Sequence, residues 1–336
     1  MLMAITPVMA QNVKVVDNTG TGPSGESIYT SLQVAIDDAN SGDIIQIFPS
    51  PHSYGSANIH GVEGLTLVGL GFNAGADSRV SSYDTILENL DIRNSSNIQV
   101  RGLQIRGSLG VTIGIVATSD SENIVINESV ISKLDIDRVQ RLMVSHSYIY
   151  EALSMAESYS MDLEFSNCII NPSALNLIYN ASFNHNLFYG SLISGAVRNS
   201  IFKNNLFVNL SYSNENVSWA DKNLSFYNNF STIDLDVEEG SNNGEANVLS
   251  NELIQQIFTD RDIDNDITEW DLGWDFISNN ASVLNSADDG TNVGPTGGIK
   301  PLQNAMYSLP MIHSISMPSV ARYGGEIEVK LKLKEQ

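Results

Sequence analysis

Two hydrophobic periods divide the chain. Between Thr30 and Asp43 the apolar residues Leu32, Ala35, Ile36 and Ala39 recur at i, i+3, i+4 and i+7, the signature of one short amphipathic helix. Thr30-Ser-Leu-Gln33 in front of it has the spacing of a capping box with Thr30 at the N-cap, and Asn40-Ser-Gly-Asp43 ends it. From there the period falls to two, in the pairs Ile45 and Ile47, Leu65 and Leu67, and Ile98 and Val100, so the helix is expected to cover something made of strands. The same alternation returns at the end of the chain, where Ile327, Val329, Leu331 and Leu333 oppose Glu328, Lys330, Lys332 and Lys334. That segment reads as a half-buried strand, packed along the rest of the molecule or paired with Ile312–Met317.

The strands follow a shared template: apolar, any residue, apolar, two turn-prone residues, a small or polar residue, then one or two apolar residues. Leu142-Met-Val144 leads to Ser147 and Ile149, Leu163-Glu-Phe165 to Cys168 and Ile170, and Leu224-Ser-Phe226 to Asn229 and Phe230. The position between the two apolar groups falls on Leu103, Ser129, Ser147, Cys168, Asn186, Asn205 and Asn229, about 21 residues apart on average. A unit of that length cannot close a core by itself and must stack on its neighbours. Its two-residue period and its wealth of Asn, Ser and Gly exclude helical repeats. The LxxLxLxxN pattern of leucine-rich repeats is missing, and a propeller blade needs roughly twice the length. What remains is a coil of parallel strands, each turn about 4.8 Å above the last. Equivalent side chains then form rows: Phe183, Phe202 and Phe226 as a ring stack, and Asn186, Asn205 and Asn229 as an inward ladder in which each amide bonds the next.

The stretch SIYTSLQVAIDDANSGDIIQIFPSPHSYG, followed by GLTLVGLGF and NIQVRGLQIRG, resembles the entrance to a right-handed parallel β-helix of the pectin-lyase-like superfamily. The resemblance covers residues 27–232 and implies an all-β solenoid with an N-terminal capping helix. After Thr232 the pattern breaks, and Asp234–Asn247 reads as an acidic loop. Ile257-Phe258, Trp274-Asp-Phe276, Ser282–Leu284 and Asp288–Gly298 (DDGTNVGPTGG) resemble the closing region of secreted bacterial β-helix proteins. The expected organisation is a signal-peptide remnant over 1–10, a capped β-helix over 11–298, and a C-terminal strand tail over 299–336. The apolar start ending in Val8-Met9-Ala10 is the basis for the first of these, and for expecting export and a secreted or outer-surface location.

Composition narrows the function. Charged residues make up 17% of the 336, and the net charge is −22, a balance that repels phosphate backbones and anionic membranes and argues against nucleic-acid partners. The single cysteine, Cys168, excludes a disulfide framework, and beside Ile169 and Ile170 it reads as a buried, inert thiol. Nowhere does an apolar run reach the length of a membrane span.

Enzymes of this fold cleave acidic polysaccharides, using clustered carboxylates for calcium and an Arg or Lys base. The nearest candidate, Asp135 and Asp137 with Arg138 and Arg141, reads as an exposed strand face whose charges compensate one another. His60-Gly61 matches two letters of a polygalacturonase motif but lacks its companions. His146 and His185 occupy equivalent turn positions with Asn167 between them, about 10 Å apart, and read as turn residues rather than an acid–base pair. Asp260–Asp271 places carboxylates at positions 1, 3, 5 and 12 of a calcium-loop spacing, and reads as a solvated acidic loop. The sequons at Asn180, Asn209, Asn223 and Asn229 reflect abundant Asn and Ser, and the template puts Asn229 inside the coil. No catalytic, cofactor or metal site is therefore assigned. The leading expectation is a noncatalytic extracellular or cell-surface protein that binds glycan or another surface partner along the coil, with exposed aromatics such as Tyr148, Tyr150 and Tyr212 contributing. The alternatives are a polysaccharide lyase or glycoside hydrolase, and a structural envelope or filament component.

Overall fold

The computed structural model describes residues 12–20, 27–69, 84–112, 121–155, 160–170, 174–176, 178–189, 197–208, 223–232, 235, 241–250, 257–258, 278, 280–302, 311–316 and 330–334. Its architecture is a parallel β-helix. Sheet A has twelve strands, and beyond the edge strand Ile28–Tyr29 and its neighbour Val13–Val16 they follow strict chain order, from Ile44–Ile47 through Val139–Ser145 to Asn243–Glu245. Sheet B runs in the same order from Ser56–His60 to Val248–Leu249. Every pairing within these two sheets is parallel, so each turn of the coil adds a strand to each sheet. A register shift between Ile131 and Lys133, against both neighbouring strands, marks a bulge that bends sheet B.

The period-two residues point inward as expected. Phe165, Phe183, Phe202 and Phe226 are paired residues of successive rungs, and their rings stack with centroids 4.9, 4.8 and 5.1 Å apart. A second stack from sheet B, Phe188 on Phe207 at 4.8 Å, meets the first edge-on. All six rings are buried.

The asparagine ladder beside them is complete. The Asn205 side chain accepts the Asn186 backbone N–H (2.8 Å) and the Asn186 amide (3.1 Å), while its own Nδ2 donates to Asn229 Oδ1 (3.1 Å) and back to the Phe183 carbonyl (2.9 Å). Asn186 and Asn229 repeat the arrangement one rung below and above. Upstream the same position carries Ser129 and Ser147, and the Ser147 hydroxyl accepts the Ser129 N–H at 3.2 Å. Cys168 continues the column. Burial pushes its thiol up to about 12, partly offset by backbone hydrogen bonds at Ser147 and Ser166, which keeps it protonated.

Two expectations need correction. The N-cap of the helix, Leu32–Asp37, is Ser31 rather than Thr30, and no side chain caps it. Gln33 reaches sideways instead, donating to the Asn58 carbonyl (3.0 Å) and accepting the Asn58 N–H (2.7 Å), so that the edge strand Ser56–His60 is occupied. The segment expected to be a loop over Asp234–Asn247 contains another rung. Asn243–Glu245 pairs with Ser225–Tyr227, and the Asn247 side chain takes the next place in the ladder, accepting from Asn229 at 2.9 Å. Gly244 stands where earlier rungs place phenylalanine, so the sheet A strand of this rung carries no hydrophobic signal. Finally, Leu249 lies in the core register above Ser231 and yet is 62% exposed, which marks the last described rung as lying at an open end.

At the opposite end Leu32, Ala35 and Ile36 of the helix are buried in the core cluster. Lys14, in register with Ile45, is turned to an ion pair with Asp38 at 2.6 Å and lies over the Tyr29 ring. Residues 305–336 form a separate compact unit. Within it Met311–Ser316 pairs with Lys330–Lys334 in an antiparallel ladder, the pairing that the alternation suggested. Residues 1–10, expected to be a signal-peptide remnant, lie outside the described residues.

Replacing Asn205 with Leu leaves the Asn186 N–H and amide without their acceptor, and each buried orphan costs about 1–3 kcal/mol. The variant is expected to melt several degrees below the parent. Ser225→Leu, on the outer face, should stay within about 1 kcal/mol. Equal melting curves for the two variants, followed by circular dichroism, would refute the energetic role of the ladder.

Candidate functional site

The turn between sheets A and B needs one residue per rung with positive φ. Gly102, Glu128, His146, Asn167, His185, Asn204 and Asn228 fill it, the non-glycine residues at φ 49 to 56°. Asparagine and histidine are among the side chains that tolerate this conformation best, which explains their choice here. Each turn is stitched to the next rung by its own amide: His146 N–H to the Ser166 carbonyl (3.2 Å), Asn167 to Asn184 (3.2 Å) and His185 to Lys203 (3.1 Å). The fixed backbone lines up four polar side chains, His146, Asn167, His185 and Asn204, along one edge.

That edge is occupied by residues 283–302, which form a strap along the coil. His146 Nε2 donates to the Lys300 carbonyl at 2.7 Å. Asn167 Nδ2 donates to the carbonyls of Pro295 (2.9 Å) and Gly297 (2.8 Å). Asn204 binds Asp288 twice, through Nδ2 to its carboxylate (2.8 Å) and through Oδ1 to its N–H (3.2 Å). Lys203 adds an ion pair to Asp288 at 2.5 Å. His185 is buried with Nε2 3.2 Å from the Asp289 carboxylate, an acceptor, so Nε2 carries a proton and donates it there.

The glycines of the strap are required by this fit. A Cβ on Gly297 would lie 1.7 Å from the Asn292 carbonyl oxygen and 2.5 Å from His185 Nδ1, and one on Gly294, at φ +90°, would lie 2.5 Å from Leu206 Cδ1. Beneath the strap, Val283, Ala287 and Val293 pack with Ile257 and Phe258 onto the outer face of sheet B, over Val130, Tyr148, Ile169, Leu187, Leu206 and Phe230. This is why the short strands Leu187–Tyr189 and Leu206–Val208 are buried on both faces. The closing segment therefore lies along the flank of the coil, not across its end.

The candidates from the sequence fall into place around it. His146 and His185 are separated by the Asn167 rung as expected, and both ring systems are engaged by the strap. Asp135, on sheet B, accepts from the Ser154 hydroxyl, Asp137 lies 3.9 Å from Arg138, and Arg141, on sheet A, pairs with Glu122; the structure does not gather them. The expectation of an exposed aromatic row fails at Tyr148. Tyr148 is 1% exposed beneath the strap and Tyr150 stacks on it at 5.6 Å, because the outer face of sheet B is an apolar contact surface rather than a solvated one. Tyr212 and Asp260–Asp271 lie outside the described residues. Among the described residues no three His, Cys, Asp or Glu side chains converge as metal ligands, and no helix is long and apolar enough to cross a membrane. Asn180 and Asn223 sit on exposed turns, whereas Asn229 is buried in the ladder.

What the sequence did not disclose is the open outer face of sheet A. Its strands present two outward lanes. The lane next to the turn runs Arg101, Asn127, Ser145, Ser166, Asn184, Lys203 and Tyr227, all half-buried and in register from rung to rung. The second runs Gln99, Val125, Met143, Glu164, Ser182 and Ile201. Arg101 is paired with Glu128 at 2.6 Å, and Lys203 with Asp288, so the charges at the two ends of the first lane are compensated. The geometry defines a parallel β-helix protein with one flank strapped and another that no segment is seen to cover among the described residues. No protein-family model matches the chain, and no curated protein is detectably similar to it.

The strap carries a pH dependence with a definite sign. The Lys203 ammonium, with the Asn204 amide, holds the Asp288 carboxyl below its ordinary 3.8. Burial works against ionisation of Asp289, but the Thr291 hydroxyl and amide and the neighbouring His185 more than offset it. Carboxyls depressed by folding stabilise the strap fully above 3.8 and lose that contribution as pH falls through their folded values. Hydrogen exchange of the Gly294 amide, bonded to the Asn204 carbonyl, should therefore lose protection below pH 4, and Asp288→Asn should reduce that acid sensitivity. Protection that is flat from pH 6 to 3 would contradict this linkage.

Proposed function

We propose that this is an exported, noncatalytic β-helix protein of the pectin-lyase-like kind that binds glycan at the cell surface or outside the cell, using the open outer face of sheet A. The observation that carries the reading is the contrast between the two flanks. On sheet B the outward residues are apolar and covered by the strap, and the two histidines best placed for acid–base chemistry are held in that contact. On sheet A, half-buried polar side chains point outward in register over successive rungs, on a framework held by the Phe stacks and the Asn ladder. Rigid, preorganised hydrogen-bonding groups bind without the ordering cost that flexible loops incur. The low charged fraction and the net charge of −22 favour neutral partners over polyanions.

The test is to pass purified protein over a panel of immobilised neutral and acidic polysaccharides, following retention together with the release of reducing ends and of unsaturated sugars. Retention without turnover is expected. Turnover of any member of the panel would replace this reading with that of a lyase or hydrolase, and a protein that neither binds nor cleaves any member would leave the glycan assignment without support.

A further inference from the structure

Resting on that reading, we infer that the ligand is a neutral, extended glycan chain lying parallel to the coil axis along the turn-side lane of sheet A, about one sugar per rung. Three features of the surface point to it. Asn127, Ser145, Ser166 and Asn184 occupy one lane on four successive rungs, with uncharged donors and acceptors presented at the rung repeat of about 4.8 Å. An extended pyranose chain advances by a similar distance per sugar, so the same contact can recur along it. The Asn127 amide is held by the Ser145 hydroxyl (2.9 Å) and by His146 Nδ1 (3.2 Å), and Asn204 Nδ2 approaches Asn184 Oδ1 at 3.3 Å, which orients the Asn184 amide with its Nδ2 as a donor toward a ligand.

The second feature is the neighbouring lane. Met143 and Ile201, each 47% exposed, lie three rungs apart on it, with Val125 half-buried one rung before Met143. A sugar ring has a hydroxyl edge and an apolar C–H face, and Val125, Met143 and Ile201, interrupted by Glu164 and Ser182, give the neighbouring lane apolar contact points for that face. The third feature is charge. The ion pairs Arg101–Glu128 and Lys203–Asp288 bracket the lane, so neither cation is available to a uronate carboxylate, in a chain whose net charge of −22 repels polyanions. The length of the uncharged lane sets the expected ligand length at about four to six sugars.

The experiment uses the full chain with cellohexaose, xylohexaose, mannohexaose and oligogalacturonate as probes in calorimetric titration. At least one neutral hexaose should bind, its affinity rising at least tenfold from disaccharide to hexasaccharide and changing less than twofold between 50 and 500 mM salt. Ser166→Arg, which lays a long charged side chain across the lane, should weaken binding more than tenfold, and Asn184→Ala more than threefold, with melting temperatures confirming that both variants fold. If the parent binds a hexaose and both folded variants bind it equally well, the lane assignment is wrong while the proposed glycan binding stands. Preference for oligogalacturonate over every neutral probe would overturn the neutral-ligand inference. If the polysaccharide panel retains nothing, the proposed function and this inference fall together.

Discussion

Everything in this molecule depends on the in-register stacking of equivalent residues from one rung to the next. Parallel pairing places each side chain directly over its counterpart, so a choice made in one rung is constrained by the rungs above and below. A buried amide is costly alone, yet Asn205 makes hydrogen bonds through both its oxygen and its nitrogen, because Asn186 and Asn229 sit at the same position. The same logic turns isolated phenylalanines into stacks with interplanar angles of 15, 6 and 11°. Polar and apolar columns can therefore run side by side through the core, each satisfied by itself.

The turn column extends this constraint from folding to packing. A residue at positive φ in every rung fixes the direction of its side chain, and the strap reads the resulting row of His146, Asn167, His185 and Asn204 through its own carbonyls and carboxylates. Histidine at two of these positions is explained by the backbone and by the partner it meets, with no catalytic role required. The covered apolar face of sheet B follows. Strands such as Ile169–Ile170 and Leu206–Val208 read as continuous hydrophobic runs because one face meets the core and the other meets the strap.

Much of the fold was legible because solenoid order is written locally. The change of period at Ile45, the recurring position from Ser129 to Asn229 and the alternating tail each found their place in the structure. The losses have a common cause, which is information held by residues without hydrophobicity. The strand Asn243–Glu245 has Gly244 where its neighbours have phenylalanine, so up to Asn247 of the ladder its sequence looks like a loop. Gln33 has capping-box spacing but spends its amide on Asn58, because a sheet edge needing both a donor and an acceptor lies within reach. The strap was visible as a glycine-rich closing segment. Its seat was not, since Asn167 and Pro295 meet across 128 residues through a side chain and a carbonyl, a pairing that leaves no period in the sequence.

The aromatic row shows why a functional face is harder to read than a core. Tyr148 alternates with inward residues as a solvent-facing side chain should, yet it is buried in a cluster to which Ile257, Phe258 and the strap, far along the chain, contribute. Outwardness in a solenoid is a property of a rung, but exposure is a property of everything that packs on it. Sheet A carries less outward hydrophobicity on its turn-side lane, where Asn127, Ser145, Ser166 and Asn184 offer a covering segment little to exclude from water. An apolar lane drives its own occlusion, whereas a lane of small uncharged polar groups stays open to solvent and keeps its hydrogen-bonding capacity. The composition, rich in asparagine and serine and poor in charge, divides the coil into an apolar face that the chain covers itself and a polar face that no segment covers among the described residues.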